Sequence, residues 1–203
     1  MKYNPQKHHR RSIRLKGYDY SQAGAYFITI CVMGRQHLFG QVVNKEMILN
    51  QLGQIAYNEW LNTPQLRPNV SLDVFVIMPN HIHGIILIND MDAPGKGESN
   101  SPLILNEPST PQMNSPLILN EPDTGECNSP RREFKSPSNN IGAIIRGYKS
   151  SVTKQINSLN YDSFAWQRNY YEHIIRNDLA YQRISAYIIN NPSKWNEDKF
   201  FTQ

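Results

Sequence analysis

Residues 74–88 read Val-Phe-Val-Ile-Met-Pro-Asn-His-Ile-His-Gly-Ile-Ile-Leu-Ile. Two apolar, largely β-branched runs, Val74–Met78 and Ile85–Ile88, flank the turn signal Pro79-Asn80, which is the pattern of a buried antiparallel hairpin. The second strand opens with His81-Ile82-His83. Alternate residues of a strand share a face, so both imidazoles project one way and Ile82 the other. Such a pair can ligate a metal ion, and it can equally cap a strand or hydrogen-bond in a semi-polar layer. Spacing alone fixes only two of the three or more ligands that a catalytic ion needs.

Outward from the hairpin, Ala25–Val32 is rich in aromatic and β-branched residues between Gly24 and Gly34, and a shorter strand is expected near Phe39–Val43. From about Ile48 to Asn62 the residues Leu52, Ile55, Ala56, Glu59 and Trp60 recur at helical spacing, and Pro64 stops the pattern. On the far side, Ile141, Ile144, Ile145, Tyr148, Val152 and Ile156 trace one face of a helix whose other faces carry Arg146, Lys149 and Lys154. An aromatic-rich strand region follows over Ala165–Arg168 and Tyr170–Arg176. There Arg168, Tyr170, Tyr171 and His173 offer cationic and stacking groups suited to single-stranded nucleic acid, although strand packing accounts for the rings equally well. Asn177, followed by Asp178, is an N-cap signal for a last helix running to about Asn190 before Pro192, anchored by Leu179, Ile184 and Ile188. Tyr187 and Asn191 stand four apart, so phenol and carboxamide project on the same side.

The net charge of +4 conceals a segregation. Residues 90–130 hold seven acids and one base, a local −6, which leaves +10 on the remainder. So basic a body favours a polyanionic partner, nucleic acid being the commonest, with a merely well-solvated surface as the bland alternative. Residues 1–17 form a basic arm with Arg10, Arg11, Arg14 and Lys16 and no acid among the first sixteen, suited to backbone phosphates or simply solubilising. Seven of the thirteen prolines lie within 90–130, and Asn-Ser-Pro-Leu-Ile-Leu-Asn-Glu-Pro occurs at 100–108 and again at 114–122. Prolines interrupt ladders and the Leu-Ile-Leu triplets are too short for a core, so 90–140 is expected to be a disordered, repeat-containing insertion. Residues 18–89 and 141–203 then make one domain. No run approaches a membrane span and the N-terminus lacks a signal-peptide stretch, so a cytoplasmic protein is expected. Cys31 and Cys127 fit neither a disulfide framework nor a zinc spacing and read as free thiols.

Three segments in this order, Pro79-Asn-His-Ile-His83, Trp166-Gln-Arg-x-Tyr-Tyr-Glu-His-x-Ile-Arg-Asn177 and Tyr187-Ile-x-x-Asn-Pro192, resemble the single-tyrosine HUH transposases, and among them the REP-associated tyrosine transposases. The likeness covers nearly the whole chain apart from the 90–140 insertion. It implies an α+β, ferredoxin-like sandwich with a central antiparallel sheet. It also implies that His81 and His83 hold a divalent ion, magnesium or manganese, with Asn191 as third ligand and Tyr187 as nucleophile. The implied substrate is single-stranded DNA beside a hairpin-forming repeat, cut through a 5′-phosphotyrosine by a monomer or homodimer. Arg10, Arg11, Arg14, Lys16, Lys149, Lys154 and Arg168 are the candidate DNA contacts. Tyr148 is a rival nucleophile, but it falls on the apolar stripe. Two other readings stand beside this one: a domesticated hairpin-DNA-binding protein that has lost transposition or cleavage, and a small-molecule metal hydrolase, against which the lone tyrosine, the basic body and the missing carboxylate ligands count.

Overall fold

A computed structural model of the chain describes residues 17–90, 140–161 and 163–201. The basic arm up to Lys16 and positions 91–139 of the expected insertion, with Cys127, lie outside the described residues.

Four strands build the main sheet: β1 (Gly24–Cys31), β4 (Val70–Ile77), β5 (His81–Ile88) and β6 (Tyr171–Ile175), in the order β4-β5-β1-β6, with every neighbouring pair antiparallel. Two helices, α1 (Gln51–Leu61) and α3 (Ile141–Ser158), connect β1 to β4 and β5 to β6. This succession and strand order are those of the ferredoxin-like α+β sandwich. Both helices place their apolar stripes on one side of the sheet: Leu52, Ala56 and Trp60 of α1 and Ile144, Ile145, Tyr148, Val152 and Ile156 of α3 share a core with Tyr26, Ile28, Ile30, Ile82 and Ile86. The Tyr148 hydroxyl donates to the Ala56 carbonyl at 2.9 Å inside that core, which gives it a packing role.

The opposite face is covered by α4 (Asp178–Ile189), whose Tyr181, Ile184 and Ile188 pack with Phe27, Val74, Val76, Met78 and Ile85. Among the described residues, asparagine starts all three long helices. Asn50, Asn140 and Asn177 each accept the backbone N–H three residues on, satisfying a donor that the first turn leaves bare.

Three expectations need correction. The helix expected from Ile48 begins at Gln51, because Glu46–Leu49 is a strand, β3, paired with β2 (Gly40–Val43) through an Asn44-Lys45 turn at φ 52° and 70°. Positive φ at both central residues is the hairpin geometry that matches strand twist. The short α2 (Thr63–Leu66) follows α1. The hairpin's first strand starts at Val70 rather than Val74, with an irregularity between Leu72 and Phe75 that inserts one extra residue. Leu179, expected to anchor α4, is exposed at 57%. The apolar cluster reaches Tyr181 and stops short of the helix's first turn.

Candidate active site

His81 and His83 lie on β5, an inner strand held by β1 on one side and β4 on the other. Their rings project onto the α4 face, as the two-residue period requires, while Ile82 enters the α1–α3 core. Both imidazoles are fully buried and their ring centroids are 4.4 Å apart.

Each ring is oriented from behind. His81 Nδ1 lies 2.8 Å from Asn80 Oδ1, and His83 Nδ1 lies 2.8 Å from Thr29 Oγ1 on the paired strand. For His81 the protonation pattern follows from the partners. Asn80 Nδ2 donates to the carbonyls of Arg35 (3.1 Å) and Phe200 (2.8 Å), which can only accept, so the carboxamide cannot be flipped. Its oxygen must therefore face the ring, Nδ1 must carry the proton, and Nε2 presents a lone pair. That Nε2 is buried without a hydrogen-bond partner.

Burial holds both rings neutral: it lowers the His81 pKa to about 3, with Lys199 and Arg35 adding to the effect, and pushes His83 well below the usual range. A neutral imidazole with a free lone pair, as at His81 Nε2, could ligate a metal ion and cannot act as the cation of a charge pair.

The third contributor comes from the opposite end of the sequence. After α4 a 3₁₀ turn, Pro192–Glu197, brings the chain back over the histidines. Phe200 lies 4.5 Å from the His81 ring, centroid to centroid, with the Arg35 and Lys199 cations 5.2 and 4.9 Å from its own centroid. Asp198 sits beneath this cover, and one ligand atom from each of His81, His83 and Asp198 falls within 4.8 Å of the others. That span is near twice a metal–ligand distance of about 2.1 Å, so the trio could hold a metal ion. Asp198 supplies the carboxylate whose absence counted against a metal hydrolase.

Tyr187 reaches the same point from α4. Its hydroxyl is 3.1 Å from His83 Nε2 and 3.1 Å from Asp198 Oδ2. Asn191, one turn on and 2% exposed, donates from Nδ2 to Asp198 Oδ2 at 2.7 Å, and its Oδ1 is buried with no partner. A second oxygen donor thus stands unspent beside the trio. Burial and the Asp198 carboxylate raise the Tyr187 pKa well above its ordinary value.

The structure therefore brings His81, His83, Tyr187 and Asn191 together. It does not bring the described candidate DNA contacts, Lys149, Lys154 and Arg168, to them. Lys149 and Lys154 stand on α3, which packs on the far face of the sheet, and Arg168 is exposed in the link before β6. Lys149 spends two N–H groups on the carbonyls of Gln167 and Asn169, and burial lowers its pKa to about 8, so it fastens that link more than it offers charge. Arg10, Arg11, Arg14 and Lys16 lie outside the described residues. Sequence reasoning missed Asp198, Thr29 and Phe200, which carry no local signal, and read Asn80 as a turn residue only. Among the described residues no helix is long and apolar enough to cross a membrane.

No family model matches the chain. An uncharacterised protein of Haemophilus influenzae (strain Rd) is 44% identical over 202 residues, spanning 98% of this chain and 97% of its own length. Among solved structures, a REP-associated tyrosine transposase bound to a REP hairpin superposes with a TM-score of 0.51 at 16% identity, covering 92% of this chain and 77% of that one. That likeness bears on the fold, which is transposase-like.

Proposed function

We propose, for a chain that belongs to one family with the Haemophilus influenzae protein and has a transposase-like fold, that it is a metal-dependent tyrosine HUH endonuclease and strand transferase acting on single-stranded DNA beside hairpin-forming repeats. The observation that carries this reading is the 3.1 Å approach of the Tyr187 hydroxyl to His83 Nε2, next to a buried His81 Nε2 with an imposed lone pair and no partner. The phenol hydroxyl and the candidate ligand atoms meet at one point, on a body that is basic apart from its acidic 90–130 segment, which supports this reading.

His81, His83 and Asp198 would hold the divalent ion, with Asn191 Oδ1 available as a fourth donor. When bound, the ion supplies positive charge that polarises the scissile phosphate and offsets charge in the transition state. A mixed nitrogen and oxygen set suits manganese or a similar borderline ion better than magnesium, which prefers oxygen throughout.

The residues of the chain do the rest. Tyr187 attacks phosphorus through its phenol oxygen while the phenolic proton passes to Asp198 Oδ2, the carboxylate oxygen it already contacts. The P–O3′ bond breaks, leaving a 5′-phosphotyrosine, and the departing oxygen takes a proton from solvent to become a free 3′-hydroxyl. Attack by a 3′-hydroxyl reverses the step and reseals a strand, so no nucleotide cofactor is needed. Asn191 keeps Asp198 aimed, and Phe200 shields the histidines from water. Tyr187 reaches the histidines of its own chain, which supports action of the tyrosine in cis, in a monomer or a homodimer. Residues 1–17 form the expected DNA-contacting arm, and 90–140 an insertion outside the catalytic domain formed by 18–89 and 141–203.

The test is to incubate the protein with labelled hairpin oligonucleotides and manganese and to look for a covalent band on a denaturing gel. Hairpin binding without that band would instead favour the domesticated binding protein.

A further inference from the structure

Beside Tyr187 a groove of about 430 Å³ opens between α4 and the 3₁₀ turn. Its wall includes Tyr187 and Asp198, so it runs directly into the proposed reaction centre. The rest of its chemistry comes from Arg183, one turn before Tyr187 on α4, from Asn190 at the helix end, and from Lys194 and Glu197 on the turn. Among the described residues, the side chains of Arg183, Lys194 and Glu197 form no hydrogen bond or ion pair, and all three are exposed. The Asn190 amide donates to the Ala186 carbonyl at 2.7 Å, which turns its Oδ1 away from that bond.

The volume is within the roughly 300–1,000 Å³ typical of small-ligand sites. Two cations and two acceptors around such a space suit a ligand with an anionic group and a planar, donor-bearing part. A nucleotide has both. Guanidinium and ammonium groups meet phosphate oxygens, whereas a carboxylate repels phosphate and accepts from exocyclic amines on a base edge. The geometry points to this groove as the seat of the unpaired nucleotide flanking the scissile phosphate, with Arg183 and Lys194 holding its phosphate and Glu197 reading its base. This rests on the proposed strand-transfer reaction, and it makes Glu197 a specificity residue.

The test uses the full chain, manganese and a pool of hairpin oligonucleotides with a randomised single-stranded flank, and sequences the strands recovered as covalent adducts. Wild type should show a base bias next to the cut, and E197Q should change that bias about tenfold, the size expected for one base contact. The R183A/K194A pair should raise the half-saturating oligonucleotide concentration about tenfold. It should also flatten the log–log salt dependence of binding by about 0.7, the value for one phosphate no longer neutralised on a single strand. An unchanged bias in E197Q together with an unchanged salt slope in the double variant overturns the assignment. If wild type forms no adduct, the transfer reaction fails first. The groove is then tested alone by fluorescence anisotropy of the same pool, where equal salt slopes for wild type and R183A/K194A overturn it and a slope flattened by about 0.7 supports it. Unchanged circular dichroism and urea midpoints in these surface variants exclude misfolding as the cause.

Discussion

The Tyr187 hydroxyl lies 3.1 Å from Nε2 of His83, a residue 104 positions earlier in the chain. Tyr187 is half-exposed on α4 while His83 is fully buried on β5, so the pair joins an accessible hydroxyl to a buried ring on an inner strand. Removing the hydroxyl alone should therefore stop chemistry without harming the fold.

Tyr187→Phe is expected to abolish the covalent adduct while leaving hairpin binding within about twofold. Tyr148→Phe should behave in the opposite sense. It deletes a buried hydrogen bond to Ala56, costing about 1 kcal/mol of stability, and keeps the adduct. Gel analysis of adducts together with urea unfolding of both variants checks the pair, and an adduct surviving in Tyr187→Phe would remove Tyr187 from the mechanism.

Asn80 imposes the His81 tautomer, and its two functions can be separated. Asn80→Ala should weaken manganese binding about 10- to 100-fold, the usual cost of losing the partner behind a ligating histidine, and should also destabilise the protein. Asn80→Asp restores the acceptor for His81 Nδ1 but sets an oxygen against the Arg35 and Phe200 carbonyls. It should lose stability yet bind manganese more tightly than the alanine variant. Isothermal titration calorimetry and thermal melts read the two effects independently.

The neutral histidines make stability depend on pH with a definite sign. The unfolded chain protonates histidine near pH 6.5, whereas folded His81 resists protonation down to about 3. Between those values the unfolded state binds more protons, so stability is complete above about pH 6.5 and is lost as the pH falls toward 3. Denaturant midpoints of the metal-free protein should decline over this window, and less steeply in His81→Gln. An identical profile in the variant would mean that other groups dominate the acid limb.

Gly84, next to His83 on β5, faces the α1–α3 side. A Cβ there would come within 2.7 Å of the Trp60 ring and 3.0 Å of Phe75 Cβ. Gly84→Ala should thus destabilise by about 1–3 kcal/mol through overpacking. Because β5 carries both histidines, manganese affinity should fall with it, as calorimetry on the folded variant would detect.

How much of this was readable beforehand varies with the range of the interaction. The histidine pair and the core of α3 follow from periods of 2 and 3.6, and Asn177 announces α4 by local capping chemistry. Glu46–Leu49 was hidden because Ile48, Leu52 and Ile55 fall at helical spacing, and Asn44-Lys45 lacks the glycine that marks most tight hairpins. Leu179 was misplaced because an apolar side chain does not say where its helix overhangs the sheet. Asp198 was out of reach altogether: it joins the site only through the path of the chain beyond α4. Thr29 is similar, since only the pairing of Thr29 with His83 gives a strand hydroxyl that task.

The separation between His83 and Tyr187 also imposes an order of events during synthesis. At roughly 5–20 residues per second, about 5–20 s of translation divide the two, and Asp198 emerges later still. A nascent chain that has been extended past His83 but not yet to Tyr187 has both imidazoles but neither the phenol nor the carboxylate, so any DNA-cutting capacity arises only once translation has passed Asp198.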